Sequence, residues 1–157
     1  MNQGTVEHIH IAPETADEMV AEQSVEAVEG RGLRGDRYFK GEGIWNEMDS
    51  EETEASDVTF IEAEAMEAVS RDYDIDLEFG EPRRNVTTRD VALNHLVGRK
   101  FWVGEAVCEG VGLCSPCGYM QGLVGKGKVA EALTHRGGLD ATVIESGTIA
   151  VGDTIEW

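Results

Sequence analysis

The sequence predicts a mainly β protein, built as a small, closed or nearly closed mixed β-barrel with a few short helices. Short segments rich in β-branched residues recur along the chain, glycines stand at the corners between them, and the helical segments are brief. The repeated strand–helix–strand alternation that is typical of a parallel sheet is absent. These three observations favour a barrel of short strands over a layered α/β fold.

The first half of the chain supplies three predicted strands and one helix. The stretch 14–23 is expected to be a polar connection or part of a short helix, and the glycine-rich stretch 30–43 to be a loop or a set of tight turns. Residues 45–57 form an acidic surface segment, and 62–73 have the spacing and composition of a helix. The predicted strands are 5–12, 24–28 and 57–61.

The second half begins with an extended segment over 81–88, because Pro82 disfavours helix in the residue before it. A short helix is predicted over 89–98, ending at Gly98, a residue suited to the left-handed conformation, and another over 128–134. The remaining predicted strands are 100–113, as one or two strands with a glycine break, then 138–146 and 148–157, with turns at Gly147 and at 152–153.

The chain is expected to form a single domain over 1–157. This length is enough for one hydrophobic core and short for two, and no repeat or linker divides the sequence. No apolar run approaches the length of a membrane span, and the first residues lack the basic and apolar regions of a secretory signal. We therefore expect a cytoplasmic protein whose three cysteines stay reduced and serve as ligands, nucleophiles or core residues.

The chain is strongly acidic, with 31 Asp and Glu against 13 Lys and Arg and a formal net charge of −18. Such a chain repels nucleic acids and anionic membrane surfaces, so neither is expected as a partner. Many acids with few lysines favour adaptation to high salt, where self-repulsion is screened, and an ordinary acidic solvated surface is the alternative.

The acidic residues are distributed unevenly. Residues 1–85 carry 23 of them, whereas 86–130 carry three. This second stretch contains all three cysteines. Solvation alone gives no reason to spare it, so its low charge indicates a buried core or a site for an anionic ligand.

Cys114 and Cys117 are separated by a Ser-Pro pair, and several interpretations of this pair remain open. They could be two buried cysteines, a redox pair, a sulfur carrier, a ligand for a heavy metal, or half of a zinc site completed by His8 and His10. The histidines lack a standard zinc spacing, and the glycine-rich sequence after Cys117 does not fit a thioredoxin-like helix. Cys108 is expected to be a small core-facing residue.

Arginines are concentrated in two segments. Arg83, Arg84 and Asn85 lie in an extended segment and offer forked donors for phosphate or carboxylate, with an amide for a base-like or pterin-like edge. The glycine loop over 30–38 carries three more arginines, and backbone amides in such loops can bind anions. Ion pairs with surface acids are the alternative for the first segment, and an ordinary surface loop is the alternative for the second.

The order of these motifs resembles a known family. The segments GLRGDRY, RRNVTT, VGRKFWVGEAV, CSPC and HRGGLDATVIESGTIAVGDTI follow one another as in the MOSC domain, named for the C-terminal domain of molybdenum cofactor sulfurases. The resemblance runs from about Val6 to Trp157 and is strongest to small stand-alone members. It implies a β-barrel with short helices. The aminotransferase-like module of the sulfurases is absent, so pyridoxal phosphate chemistry is not expected.

The resemblance implies binding of the molybdenum cofactor, a molybdopterin with a dithiolene and a phosphate. Cys117 matches the family's metal-ligating and catalytic cysteine, whereas Cys114 occupies a more variable position. A soft thiolate suits such a metal, and cationic neighbours favour the thiolate form. Asp36 is expected to be structural. The cofactor-binding residues that the resemblance implies are Arg37, Arg83, Arg84, Asn85 and Ser115.

The function that the resemblance implies is a molybdenum-dependent oxidoreductase that reduces small N-hydroxylated substrates, such as hydroxylamino bases, by two electrons. No iron–sulfur, flavin or nicotinamide pattern occurs, so a separate electron-donor protein is expected. The alternatives are a sulfurtransferase, in which Cys117 carries a persulfide received from a cysteine desulfurase, and a non-catalytic module that binds or stores the cofactor.

Overall fold

A computed structural model describes residues 2–14, 18–39, 57–114 and 126–157. The strands within these residues are β1 (Gln3–Ile11), β2 (Val20–Glu22), β3 (Ser24–Val28), β4 (Gly32–Leu33), β5 (Val58–Glu62), β6 (Val86–Arg89), β7 (Lys100–Val103), β8 (Ala106–Leu113), β9 (Leu139–Glu145), β10 (Gly147–Ala150) and β11 (Thr154–Glu156). The helices are α1 (Ala63–Tyr73), a 3-10 turn (Leu93–Leu96) and α2 (Val129–Ala132). The predicted mainly β class is confirmed.

Seven strands close into a barrel because β1 has a partner on each side. The strand order is β1-β11-β7-β8-β9-β5-β6 and back to β1, and β2 pairs with the far part of β1. β1 pairs with β11 over Gln3–Thr5 and with β6 over Thr5–Ile9, with a bulge between Val6 and His8. A bulge bends the strand and raises its twist, which suits closure. The predicted closed mixed barrel is therefore confirmed.

One neighbouring pair in the barrel, β5 and β6, is parallel, whereas the other pairs are antiparallel. A parallel pair needs a crossover connection, and α1 supplies it. α1 and α2 pack together through Met66, Val69, Val129 and Leu133, with Ile61 of β5, in an apolar cluster separate from the barrel core. The described residues thus contain one strand–helix–strand unit and, as predicted, not the repeated alternation of a parallel sheet.

The barrel interior is packed with apolar side chains. Phe60 and Phe101 are fully buried and meet edge to face, with ring centroids 5.4 Å apart. Cys108 is fully buried in the same cluster, as expected for a small core-facing residue. The three-stranded sheet β10-β3-β4 adds Val25 and Ile149 to this cluster. The small sheet and the barrel therefore share one apolar core.

Several predicted elements differ from the structure. The glycine-rich stretch expected as a loop contains β4, and Gly147, expected in a turn, begins β10. The stretch 14–23, expected to be a polar connection or part of a short helix, contains the edge strand β2. Its backbone pairing with β1 outweighs the weak strand propensity of its residues. The helix predicted over 89–98 shrinks to the 3-10 turn, because Arg89 belongs to β6 and Val97 bridges to Gly110. Gly98 does take the left-handed conformation, with φ of 76°. Most of the predicted acidic segment 45–57 lies outside the described residues.

We predict that Gly110→Ala lowers the free energy of unfolding by about 1–3 kcal/mol, the usual cost of overpacking. A β-carbon at this position in β8 would overlap the carbonyl oxygen of Leu96, which is backbone and cannot move aside cheaply. Gly112→Ala is the matched control in the same strand, because a β-carbon there meets nothing within 4 Å. Urea unfolding followed by circular dichroism measures both. Equal destabilisation of the two variants would contradict the packing argument.

Candidate functional site

Arg83 and Arg84, here called the arginine segment, are held in place by the residue that follows them, Asn85. The Asn85 Oδ1 accepts hydrogen bonds from the Thr59 backbone N–H (3.0 Å) and hydroxyl (3.1 Å), and its Nδ2 donates to the His10 carbonyl (3.1 Å). The side chain is fully buried, so each of these bonds is shielded from water. Asn85 thereby ties β1 to β5 and fixes the residues just before β6. The proposed contact between Asn85 and a cofactor stays a prediction.

Arg37 lies in the glycine loop and reaches the arginine segment. Its guanidinium is buried, with Nη1 donating to Asp36 Oδ1 (3.2 Å) and Nη2 donating to the Arg83 carbonyl (3.3 Å). Asp36 is fully buried and also accepts from the Ala12 backbone N–H (2.9 Å). The charge of Arg37 is therefore balanced by Asp36, and these contacts agree with the structural role expected for Asp36.

Arg84 crosses to the loop that precedes β9. Its Nε donates to the Gly137 carbonyl (2.8 Å) and its Nη1 to the Pro82 carbonyl (3.3 Å), and the residue is 8% exposed. Within the described part of the chain, Arg84 forms no salt bridge and its Nη2 has no hydrogen-bond acceptor. A guanidinium whose hydrogen bonds go only to carbonyls keeps a donor for an anion.

Cys114 lies beside Arg84, immediately after β8. Its Sγ donates to Asp140 Oδ1 (3.2 Å), and its backbone N–H donates to the Gly138 carbonyl (2.9 Å). Burial raises the pKa of the Cys114 thiol, Asp140 raises it further, and only Arg84 opposes them. Cys114 is therefore a neutral thiol at physiological pH.

Tyr38 stands among the same charged groups. It is 7% exposed, and its hydroxyl accepts a hydrogen bond from Arg37 Nη2 (3.4 Å). Burial raises the pKa of Tyr38, whereas the nearby Arg37 and Arg84 lower it, and Asp140 and Cys114 raise it. The phenol thus stays protonated, and its electrostatic neighbours show that the two guanidiniums approach one region.

A cavity of about 260 Å³ opens next to Cys114. Its wall is held from two sides: Arg84 bonds the Gly137 carbonyl, and Asn94 Nδ2 donates to the His135 carbonyl (2.9 Å). His135 itself has a φ of 64°, an uncommon conformation for a residue with a side chain. The lining residues are Asn94, Leu113, Cys114, Thr134, His135, Gly137 and Gly138.

The structure brings together three of the six predicted site residues and places a fourth behind them. Arg37, Arg83 and Arg84 are contiguous in space through the contacts above, and Asn85 supports them from within the barrel wall. The remaining two, Ser115 and Cys117, lie outside the described residues. Their assigned roles stay predictions.

The histidine pair of the zinc hypothesis lies on β1. The His8 and His10 rings have centroids 6.2 Å apart, His8 stacks on Phe79 at 4.2 Å, and His10 packs against Gly80. Burial lowers the pKa of His10, with a further decrease from His8. Residues 2–14, 18–39, 57–114 and 126–157 contain no group of three His, Cys, Asp or Glu side chains that could hold a metal ion.

Sequence reasoning did not single out Asp140, Tyr38 or Asn94 as site residues. Asp140 lies in a segment with a strand pattern, and Asn94 lies in one with a helical pattern. Neither pattern indicates that the residue belongs to a site. The Gly137-Gly138 pair did carry a signal, since the motif that contains it was part of the resemblance. Only the fold shows that Asn94 lines the cavity and that Asp140 accepts a hydrogen bond from Cys114 in its wall.

A family model described as the MOSC domain matches residues 47–156, more than two-thirds of the chain. The chain belongs to the MOSC domain family. This family is associated with binding of the molybdenum cofactor. No curated protein matches the sequence at a significant level.

Solved structures share the MOSC barrel. The YuaD protein from Bacillus subtilis is similar with a TM-score of 0.79 and 20% identity, covering 98% of this chain and 94% of that one. YiiM from Geobacillus stearothermophilus has a TM-score of 0.73 and 12% identity, covering 98% of this chain and 74% of that one. YiiM from Escherichia coli has a TM-score of 0.64 and 18% identity, with 98% and 68% coverage. At these identities the likeness concerns the fold.

Among the residues whose placement is described, no helix combines the length and the apolar character that a bilayer crossing requires.

We predict that Asp36→Ala lowers the free energy of unfolding by about 3–5 kcal/mol, because it leaves Arg37 buried without its counter-charge. Glu26→Ala is the control, since it removes the exposed partner of Arg34, with side chains 54% and 58% exposed. That change should stay within about 1 kcal/mol. Chemical unfolding of both variants tests the difference. A small effect of Asp36→Ala would show that Arg37 needs no carboxylate in the fold.

Proposed function

We propose that this MOSC protein binds the molybdenum cofactor beside Arg37 and Arg84, ligates the metal through Cys117, and reduces small N-hydroxylated substrates by two electrons. The observation that carries the proposal is the buried guanidinium of Arg84, which forms no salt bridge with a carboxylate of the described residues. Burying such a charge is costly unless a partner compensates it. An anionic ligand with a phosphate would supply that partner.

The donor set fits a phosphate-bearing cofactor. Guanidinium groups present forked donors that match phosphate oxygens, and Arg84 keeps one terminal nitrogen unoccupied by described residues. The chain as a whole carries a net charge of −18, so a local concentration of buried arginines contrasts with the rest of the molecule. Arg37 and Arg84 would bind and orient the phosphate end of the cofactor, and Arg83 follows in the same segment.

The state of Cys114 supports Cys117 as the metal ligand. Cys114 is buried, hydrogen-bonded to Asp140 and protonated, so it is poorly suited to bind a metal as a thiolate. Cys117 is the other cysteine of the pair and follows Cys114 by three positions. Its thiolate would provide the soft ligand that such a metal prefers.

When bound, the molybdenum cofactor supplies two-electron oxygen-atom transfer chemistry. In the overall reaction, the N–O bond of a hydroxylamino group breaks, two electrons and two protons are consumed, and an amine and one water are formed. The electrons would come from a separate donor protein, since the sequence carries no iron–sulfur, flavin or nicotinamide pattern. The protein itself would exclude bulk water and position the substrate next to the metal.

We predict that Cys117→Ser abolishes reduction of a hydroxylamino base by protein expressed in a cofactor-competent host. X-ray absorption at the molybdenum edge should show one sulfur neighbour fewer, because a serine oxygen is a poor substitute for a thiolate. Cys114→Ser is the matched control: its hydroxyl can still donate to Asp140, so metal content and activity should persist.

Two outcomes would contradict this assignment. One is a Cys117→Ser variant that keeps full molybdenum and full activity. The other is a wild-type protein without molybdenum whose intact mass shows one added sulfur on Cys117, which is the result expected for a persulfide carrier. Stoichiometric molybdenum without reductase activity would instead favour a cofactor-storage module.

We further predict that Arg84→Leu weakens cofactor binding roughly tenfold to a hundredfold, the range for losing hydrogen bonds to a charged group. Elemental analysis at limiting cofactor supply measures the loss. Arg34→Leu is the control, because Arg34 is exposed and paired with Glu26. Thermal unfolding of both variants checks that the fold is retained. Equal molybdenum content in a folded Arg84→Leu variant and in the Arg34→Leu control would argue against a phosphate contact.

A further inference from the structure

The cavity beside Cys114 differs from the surroundings of Arg37 and Arg84 in the charge of its described lining residues. None of the described residues that line it is Asp, Glu, Lys or Arg. Leu113 contributes an apolar surface and is 46% exposed, which is high for a leucine next to a cavity. A described lining without Asp, Glu, Lys or Arg and with an exposed leucine favours an uncharged, largely apolar ligand.

The size of the cavity limits what such a ligand can be. Its volume of about 260 Å³ lies just below the range of roughly 300–1,000 Å³ that is typical for drug-sized ligands. Gly137 and Gly138 add backbone without side chains to the lining, which leaves room for a flat group. A single or fused ring of the size of a nucleobase fits these limits.

Asn94 gives this cavity a directional polar group. Its side chain donates a hydrogen bond to the His135 carbonyl (2.9 Å), and a carbonyl can only accept. The amide NH₂ must therefore face His135, and the opposite end of the amide, Oδ1, is a pure acceptor. Because Asn94 lines the cavity and is exposed, this oxygen is available to a ligand that donates.

We infer that Asn94 is a specificity residue whose Oδ1 accepts a hydrogen bond from an N–H group of a flat, uncharged heterocyclic substrate. The inference rests on the proposed function and adds to it that the substrate would occupy this cavity. Asn94 thereby selects substrates that carry an N–H donor at their edge. The clamp between Asn94 and His135 fixes the direction of the acceptor before the substrate arrives.

The test uses two probes that differ only in the donor group. 9-Methyladenine resembles the amine product and carries an exocyclic NH₂, whereas 9-methylpurine has no N–H group. NMR titration of the purified holoprotein should show that 9-methyladenine binds about threefold to tenfold more tightly, as expected for one neutral hydrogen bond. Asn94→Leu should bind both probes equally, at the level of 9-methylpurine.

Two control variants separate this role from general effects on the cavity. Thr134→Val removes a side-chain hydroxyl of the lining, which donates to the Ala130 carbonyl (3.3 Å), and should leave the preference for 9-methyladenine intact. Leu113→Ala removes apolar surface and should weaken both probes by the same factor.

The result that would overturn the inference is a wild-type protein that binds the two probes equally or binds neither, or an Asn94→Leu variant that keeps the preference. Molybdenum content is measured on the same samples. A protein with stoichiometric molybdenum but without the Asn94-dependent preference would contradict the inference alone. A protein with the preference but without molybdenum would contradict the proposed function and leave the role of Asn94 standing.

Discussion

The candidate site depends on one buried amide, that of Asn85. Its hydrogen bonds to Thr59 and His10 join two strands of the barrel wall at the point where the arginine segment enters. A fully buried amide is stable only when both of its ends are satisfied, so the group holds its neighbours in a single arrangement. The direction in which Arg83 and Arg84 leave the wall follows from this arrangement.

Two arginines near this point differ in how their charge is balanced. Arg37 donates to a buried carboxylate, whereas the hydrogen bonds of Arg84 to described residues go only to carbonyl oxygens. Carbonyl dipoles orient a guanidinium but leave its net charge uncancelled. Because the chain is acidic, attraction to Asp and Glu would favour Arg84 at the surface, and it does not explain why this guanidinium is buried. The fold therefore holds a preorganised positive group, with the neutral thiol of Cys114 and the phenol of Tyr38 beside it.

Much of the fold was predictable from local patterns, and the site was predictable mainly through the resemblance. β-Branched alternation located β1, β3 and β5, and helical spacing located α1, because packing and propensity agree there. The helix expected over 89–98 was wrong in length, since the ladder of β6 and the bridge from Val97 are non-local. Asn94 and Asp140 could not be singled out, because their roles arise from contacts made across the barrel. Adaptation to high salt stays a prediction from composition.

Because the barrel closes between β1 and β11, it can close only late in folding. Thr5 pairs with Thr154, so the seam joins residues that are almost a full chain length apart. Contacts of such high sequence separation form slowly, because the intervening loop entropy is lost first. During synthesis on the ribosome, β1 must remain without this partner until β11 has left the exit tunnel. The edge of β1 that faces β11 is then unpaired and open to mispairing, so a nascent chain would benefit from a chaperone at that stage.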